Sequence, residues 1–289
     1  MTGRATIGAG TSEIGRSISA GGIKTYYHDI GSGPPVLLLH GSGPGVTAHA
    51  NWRAVIPLLA KNFRVIAPDL LGFGNTTAPE GARYDLDTWT THLTDFADAL
   101  GLAGMSLVGN SFGGALALKL ATRHPERIDR LVLMGSVGID FPITPGLERV
   151  WGFTPSLKNM RDLLDLFAHD RTRVTDDLAE LRLAAATQPG VQDAFAAMFP
   201  APRQARLQAL AVAEQNIASL TCPTLILHGR DDQVIPLETS LRLHHLIRPS
   251  QLHVFGECGH WVQIERQDEF AALATSFLKA NRTLISPLA

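Results

Sequence analysis

Gly109-Asn110-Ser111-Phe112-Gly113 fits the pattern G-x-S-x-G, in which small residues flank a serine turned so sharply that its hydroxyl stands clear of the chain. The pattern alone is weak in a chain with 27 glycines, and its setting gives it weight. The apolar run Met105 to Val108 leads directly into it and helical spacing begins at Phe112. Strand, tight turn and helix N-terminus are therefore expected in that order, with the Phe112 N–H free at the helix start. A serine hydroxyl is a poor nucleophile until a base removes its proton, and the base needs a carboxylate to fix its tautomer and stabilise the imidazolium. Among 11 histidines, His260 alone sits in a glycine-bracketed loop, Gly256-Glu257-Cys258-Gly259-His260, just past the final strand-like run Gln251 to Phe255. The acid is expected after the preceding strand, where His228-Gly229-Arg230-Asp231-Asp232 follows Thr224 to Leu227. Asp232 is preferred over Asp231.

His40-Gly41-Ser42-Gly43-Pro44-Gly45 also follows a buried strand-like run and can supply a second backbone N–H, from Ser42, to an oxyanion hole. Phosphate binding is the rival reading. The loop lacks both G-x-G-x-x-G and a G-K-[ST] ending, and Pro44 removes an N–H that phosphate would use. Arg182 shares a helical face with Leu178, Leu181 and Ala185, and no acid stands three or four residues away. It either snorkels to water or waits for an anionic ligand, and spacing alone leaves the two readings level. Asn51 and Asn110 are candidate polar contacts to the same ligand or simple caps, and Trp261 is a pocket or core wall. Adjacent His244 and His245 on a helix point about 100° apart, a poor geometry for one metal ion, and no H-E-x-x-H signature appears.

The elements that must position these residues follow from pattern. Short apolar runs recur at Val36 to Leu39, Val65 to Ala67, Met105 to Val108, Leu131 to Met134 and Thr224 to Leu227, reading as strands buried on both faces. Helical spacing fills the intervals Asn51 to Ala60, Thr88 to Leu100, Phe112 to Arg123 and Leu237 to Ile247, so a parallel sheet is expected. Gly15 to Ala20 and Ile23 to His28 flank Gly21-Gly22, predicting an edge hairpin. The alternation breaks after Ser136 and resumes near Thr224. The insertion holds five of the 12 phenylalanines, with helices expected over Lys158 to Ala168 and Thr175 to Ala186. A segment so apolar must lie on something, and a lid over the sheet is the economical reading.

Composition narrows the function classes. With 25 Lys plus Arg against 27 Asp plus Glu, the net charge of −2 provides no field for nucleic acid or an anionic membrane. Cys222 and Cys258 form neither a disulfide framework nor a Cys-x-x-Cys metal site, so a cytoplasmic setting is expected. Cys258, two residues before His260, reads as a small buried hydrophobe rather than a reactive thiol. No apolar run reaches the roughly 18 residues of a membrane helix, and the start lacks the apolar stretch of a signal peptide.

The order Ser111, Asp232, His260 and the insertion after Ser136 resemble an α/β-hydrolase carrying a cap. The resemblance also selects Asp232, the second acid of its string. It implies an α/β fold with a mostly parallel eight-stranded sheet flanked by helices and a helical cap after the sixth strand. The expected division is core at 1–136, cap at 137–205 and core at 206–289. Ser42-Gly43-Pro44-Gly45, Asn51, Gly109-Asn110-Ser111, Arg182 and His260-Trp261 further resemble the meta-cleavage product hydrolases, which cleave a carbon–carbon bond in 2-hydroxy-6-oxo-2,4-dienoates. Phe141-Pro142-Ile143-Thr144, Phe195 to Pro200 and His253 to Gly256 carry a nearer likeness to the 2-hydroxymuconic semialdehyde hydrolases and their alkyl-phenol relatives. Two departures stand out: many relatives with larger substrates have Gly where Ser42 stands and Met where Phe112 stands.

The resemblance implies Ser111 as nucleophile, His260 as base and Asp232 as its acid, with Ser42 and Phe112 N–H groups at the oxyanion. It places Asn51, Asn110, Arg182 and Trp261 on the carboxylate and 2-oxygen end of an anionic dienoate. Ile139, Phe141, Trp151, Phe167, Met198, Phe199 and Val234 are candidates for the acyl-side pocket, or equally for lid core. No cofactor and no metal are expected, and a homo-oligomer is implied. A carboxylesterase or lactonase on the same fold is the first alternative, needing the triad but not Arg182 with Asn51 and Asn110. A slowly turning ligand sensor is the second.

Overall fold

The structure, a computed structural model, describes residues 15–280. Eight strands form one sheet: β1 (Arg16–Ala20), β2 (Ile23–Ile30), β3 (Pro35–Leu39), β4 (Arg64–Pro68), β5 (Met105–Asn110), β6 (Ile128–Met134), β7 (Thr224–Gly229) and β8 (Ser250–Phe255). Their order is β1-β2-β4-β3-β5-β6-β7-β8. β2 pairs antiparallel with both β1 and β4, and every other pairing is parallel. The edge hairpin around Gly21-Gly22 is present, both glycines having positive φ as a two-residue turn requires. Each apolar run anticipated from pattern lies inside a strand.

Those runs are continuous because the sheet is covered twice. Side chains alternate along a strand, so Val36 and Leu38 enter one core with Val65, Val108 and Leu225, beneath the helices Ala48–Trp52, Ile56–Leu59 and Gln267–Lys279. Leu37 and Leu39 enter the other, beneath Leu86–Ala99 and Phe112–Arg123. Side-chain caps set several helix starts: Asp85 accepts from the Thr88 N–H, Thr144 from Leu147, Ser156 from Asn159 and Thr175 from Leu178.

One expectation needs correction. The single helix anticipated over Asn51 to Ala60 is two short ones, Ala48–Trp52 and Ile56–Leu59. Pro57 is the cause: it has no N–H for the Arg53 carbonyl and its ring would strike that oxygen in a continuous helix. The unit boundary anticipated at 205 falls inside the helix Arg203–Ala209.

Between β6 and β7 lie Pro145–Trp151, Leu157–Phe167, Asp176–Ala186, Val191–Met198 and Arg203–Ala209, followed by Glu214–Ala218. The apolar residues of this insertion, among them Leu147, Met160, Leu164 and Phe195, belong to the same buried cluster as Leu37 and Phe112. The insertion thus rests on the core and is held there by close backbone approaches. A Cβ at Gly45 would lie 2.4 Å from the Ala186 nitrogen, and one at Gly146 would lie 2.0 Å from the Gln233 carbonyl oxygen. Only glycine permits either contact, and the first seats the helix bearing Arg182 on the loop that follows β3.

Candidate active site

β5 delivers Ser111 at a sharp turn. Its φ is 53° with ψ −117°, a conformation that L residues other than glycine rarely adopt. The flanking glycines are required by space. A Cβ at Gly109 would lie 2.5 Å from the Gly113 carbonyl oxygen, and one at Gly113 would lie 2.2 Å from that of Leu39. Phe112 opens the helix Phe112–Arg123, so its N–H has no partner one turn back.

β7 and β8 deliver the other two groups. His260 Nδ1–H donates to Asp232 Oδ2 at 2.7 Å, with both side chains buried. Asp232 Oδ1 accepts the Val234 and Ile235 N–H groups at 2.7 and 2.9 Å. Burial alone would raise the Asp232 carboxyl, yet the charge and hydrogen bond of His260, then His228 and the Ile235 N–H, hold it below the ordinary carboxylate range. The carboxylate therefore stays ionised, fixing the His260 tautomer and leaving Nε2 as the acceptor. Gly135, at φ 48°, lets the chain pass this pair: a Cβ there would lie 3.2 Å from Asp232 Oδ2 and 3.3 Å from His260 Nδ1. Asp231, the alternative acid, is instead tied to Arg230 and the Cys258 N–H at the surface. Burial pushes the Cys258 thiol up to about 12, which keeps it unreactive.

Ser111 and His260 share one cavity of about 400 Å³ with Ser42, Asn51, Asn110, Arg182 and Trp261. The loop carrying Ser42 is braced by His40, whose Nε2 accepts the Leu70 N–H at 3.0 Å while its Nδ1–H donates to the Gly41 carbonyl at 2.7 Å. Burial keeps that ring neutral by lowering its pKa. Arg182 is half-buried and forms no ion pair among the described residues, and its Nη2 would lie 3.7 Å from a Cβ at Gly43. Burial and then the charge of Arg53 lower its guanidinium to about 10, still a cation at neutral pH. Arg53 and Arg173 also line the cavity, whose described lining contains no carboxylate. Such a wall favours an anion.

Of the acyl-side candidates, Phe167 and Val234 line this cavity, and Ile139, Phe141, Trp151, Met198 and Phe199 do not. These five are buried in the cluster that joins insertion to core, the lid-core position the sequence left level with a pocket role. Trp151 stacks on Phe199 at 4.7 Å and donates its indole N–H to Ser42 Oγ at 2.9 Å. It tethers the glycine loop to the insertion. Leu147 and Val150, on the cavity side of the same helix, take the wall position instead. Phe167 stacks on both His260 and Trp261, with centroids 5.7 and 5.1 Å apart.

Three further residues escaped the sequence reading. Glu265 accepts from the N–H groups of Gly259, His169 and Asp170, joining the His260 loop to the insertion. Gln263 is fully buried on the cavity wall with its Oε1 unpartnered, as is Asn51 Nδ2. Burying such a group without a partner costs about 1–3 kcal/mol. Arg53 is the third, and it announces itself by no spacing.

This arrangement brings a sharply turned serine, a His260–Asp232 pair and a cationic wall to one cleft. Among the described residues no cluster could hold a metal ion, and no helix is long and apolar enough to cross a membrane. The family described as alpha/beta hydrolase fold matches residues 34–267. The 2-hydroxy-6-oxo-2,4-heptadienoate hydrolase of Pseudomonas putida is 60% identical over 270 residues, covering 93% of this chain and 98% of that protein. The 2-hydroxymuconate semialdehyde hydrolase of Pseudomonas sp. strain CF600 is 58% identical over 275 residues, covering 95% and 97%. A solved structure of a meta-cleavage product hydrolase from Pseudomonas fluorescens IP01 superposes with a TM-score of 0.91 at 56% identity, covering 92% and 98%. The chain therefore belongs to the α/β-hydrolase fold family and, within it, to the meta-cleavage product hydrolases.

Proposed function

We propose that this protein hydrolyses a carbon–carbon bond in 2-hydroxy-6-oxo-2,4-dienoates derived from monocyclic aromatics, such as 2-hydroxymuconic semialdehyde or 2-hydroxy-6-oxohepta-2,4-dienoate. The products are 2-hydroxypenta-2,4-dienoate and a small carboxylic acid. The observation that carries the reading is Ser111 and His260, the latter paired with Asp232, sharing one cavity with Arg182, a cation with no ion pair among the described residues.

In this reading Arg182, Asn51, Asn110 and Trp261 hold the carboxylate and 2-oxygen while the dienol ketonises, its hydroxyl proton leaving and carbon 5 gaining one. Ketonisation supplies the electron sink. Ser111, deprotonated by His260, attacks the carbon 6 carbonyl, and the Ser42 and Phe112 N–H groups hold the oxyanion. The carbon 5 to carbon 6 bond then breaks, its electron pair passing into the 2-oxo dienoate, and His260 returns the proton to that fragment. Water cleaves the acyl-serine. Attack by water activated at His260 is the competing route, and a pre-steady-state burst of dienoate product separates the two. Residues 137–205 act as the lid that carries the anion clamp, and Leu147, Val150, Phe167 and Val234 bound a small acyl pocket.

The test is kcat/KM for both dienoates against a simple aryl ester. Dienoates should far outpace the ester, and Ser111→Ala should remove most activity; retention of a tenth or more would sink the nucleophile assignment. A winning ester would return the protein to the carboxylesterases. The cytoplasmic location and the homo-oligomer are tested by fractionation and light scattering.

A further inference from the structure

Asp232 holds His260 at one point, Nδ1, at 2.7 Å. A ring held at one point can still swing about that contact, and a second restraint comes from the insertion. Phe167, at the end of the helix Leu157–Phe167, lays its ring on His260 with centroids 5.7 Å and planes 26° apart. Glu265 fixes Phe167 there. Its Oε1 accepts the N–H of Gly259, the residue before His260, at 2.8 Å, and its Oε2 accepts the His169 and Asp170 N–H groups, just after Phe167, at 2.8 and 2.9 Å. The Trp261 N–H donates to the Phe167 carbonyl at 3.1 Å and draws the same two segments together. Gly259 makes room for the approach: a Cβ there would lie 2.7 Å from the Phe167 carbonyl oxygen and 2.9 Å from the His169 nitrogen. One carboxylate thus spans the seam between insertion and base loop, with one oxygen bonded to each side.

We propose that Glu265 is a positioning residue for the base: it clasps the insertion to the His260 loop so that Phe167 holds the imidazole with Nε2 at Ser111, and seating of the insertion becomes a condition of catalysis. The inference rests on Ser111 and His260 as the reacting pair in the reading above, and is independent of which substrate they attack. The clasp requires a carboxylate because it needs an acceptor on each side. A glutamine offers one oxygen, and its amide hydrogens would face an N–H on the other side.

The experiment uses the full chain carrying Glu265→Gln, Phe167→Leu or both, with single-turnover rates measured on 2-hydroxy-6-oxohepta-2,4-dienoate and on a neutral aryl ester. In Glu265→Gln the rate at saturating dienoate should fall about tenfold, with the half-saturating concentration within about twofold, and the ester rate should fall alike. Hydrogen exchange should show the Gly259, His169 and Asp170 amides losing protection while the sheet keeps its own. Because Glu265 acts through Phe167, the double variant should be no more than about twofold slower than the slower single variant. A lowered melting temperature with an unchanged single-turnover rate would make Glu265 merely structural and overturn the proposal. So would a change confined to the half-saturating concentration, or losses that multiply in the double variant. Should Glu265→Gln fail to fold, Glu265→Asp keeps both oxygens but reaches one side at a time, and carries the same comparison. A wild-type chain that turns over neither substrate would instead refute Ser111 and His260 as the reacting pair.

Discussion

Arg182→Gln separates a binding cation from a structural one, because the structure gives opposite expectations for stability and activity. The guanidinium is held at about 10 against an ordinary 12.5, and at about 1.4 kcal/mol per pH unit the empty site disfavours the cation by about 3 kcal/mol. The first cause is burial and the second is repulsion from Arg53. No described carboxylate offsets either, so removing the charge should leave the melting temperature unchanged or raise it by a few degrees. Binding behaves in the opposite way. A charge-assisted bond to a substrate carboxylate contributes about 1.5–3 kcal/mol, so kcat/KM for a dienoate should fall about ten- to 150-fold. A neutral aryl ester uses Ser111 and His260 but not the clamp, and its kcat/KM should move less than about threefold. The assay follows loss of the dienolate colour beside ester hydrolysis, with calorimetric melting of the same preparations. An equal fall for both substrates, or a melting temperature lowered by several degrees, would show that Arg182 supports the lid rather than the ligand.

Other perturbations probe neighbouring parts of the argument. Trp151→Phe keeps the stack on Phe199 but removes the donor to Ser42 Oγ; losing about 1 kcal/mol of loop positioning should lower kcat about fivefold with KM within twofold, and a change confined to KM would speak against the tether. Arg53 and Arg173 line the cavity, Arg173 paired with Asp170 and Arg53 with no ion pair among the described residues, so kcat/KM for an anionic dienoate should decline as salt is raised. Arg53→Gln should flatten that decline, and an unchanged salt profile would remove Arg53 from substrate capture. Acid stability follows from His92, which burial lowers to about 4 from 6.5. Between those values the unfolded chain binds the proton and the native one does not, so stability is complete above pH 6.5 and is lost as pH falls toward 4. His28, His40 and His228 are lowered by burial in the same direction. Urea midpoints at pH 7 and pH 5 measure the loss, and His92→Met should reduce it if that variant folds.

The parallel sheet was legible because burial on both faces forces unbroken apolar runs, and Val36 to Leu39 divides between two cores residue by residue. The Ser111 turn was legible for a related reason: its glycines answer to backbone contacts that no other residue permits. Where a choice depended on which way a short helix faces, pattern was insufficient. Trp151 and Val150 are neighbours in sequence, yet Val150 lines the cavity while Trp151 turns to Phe199 and Ser42.

Arg182 and Gln263 show the limit most sharply. Both line the cavity without a described ionic or acceptor-side partner. The arginine stood out because a cation on an apolar helix face violates a pattern, the desolvation cost of a charge being large enough to leave a mark in residue order. The glutamine left none. A neutral amide two residues beyond Trp261 has the same sequence appearance whether its acceptor meets water or a buried wall. A cation on an apolar face can therefore be read from a sequence, whereas a buried amide oxygen without a partner shows only once the fold is known.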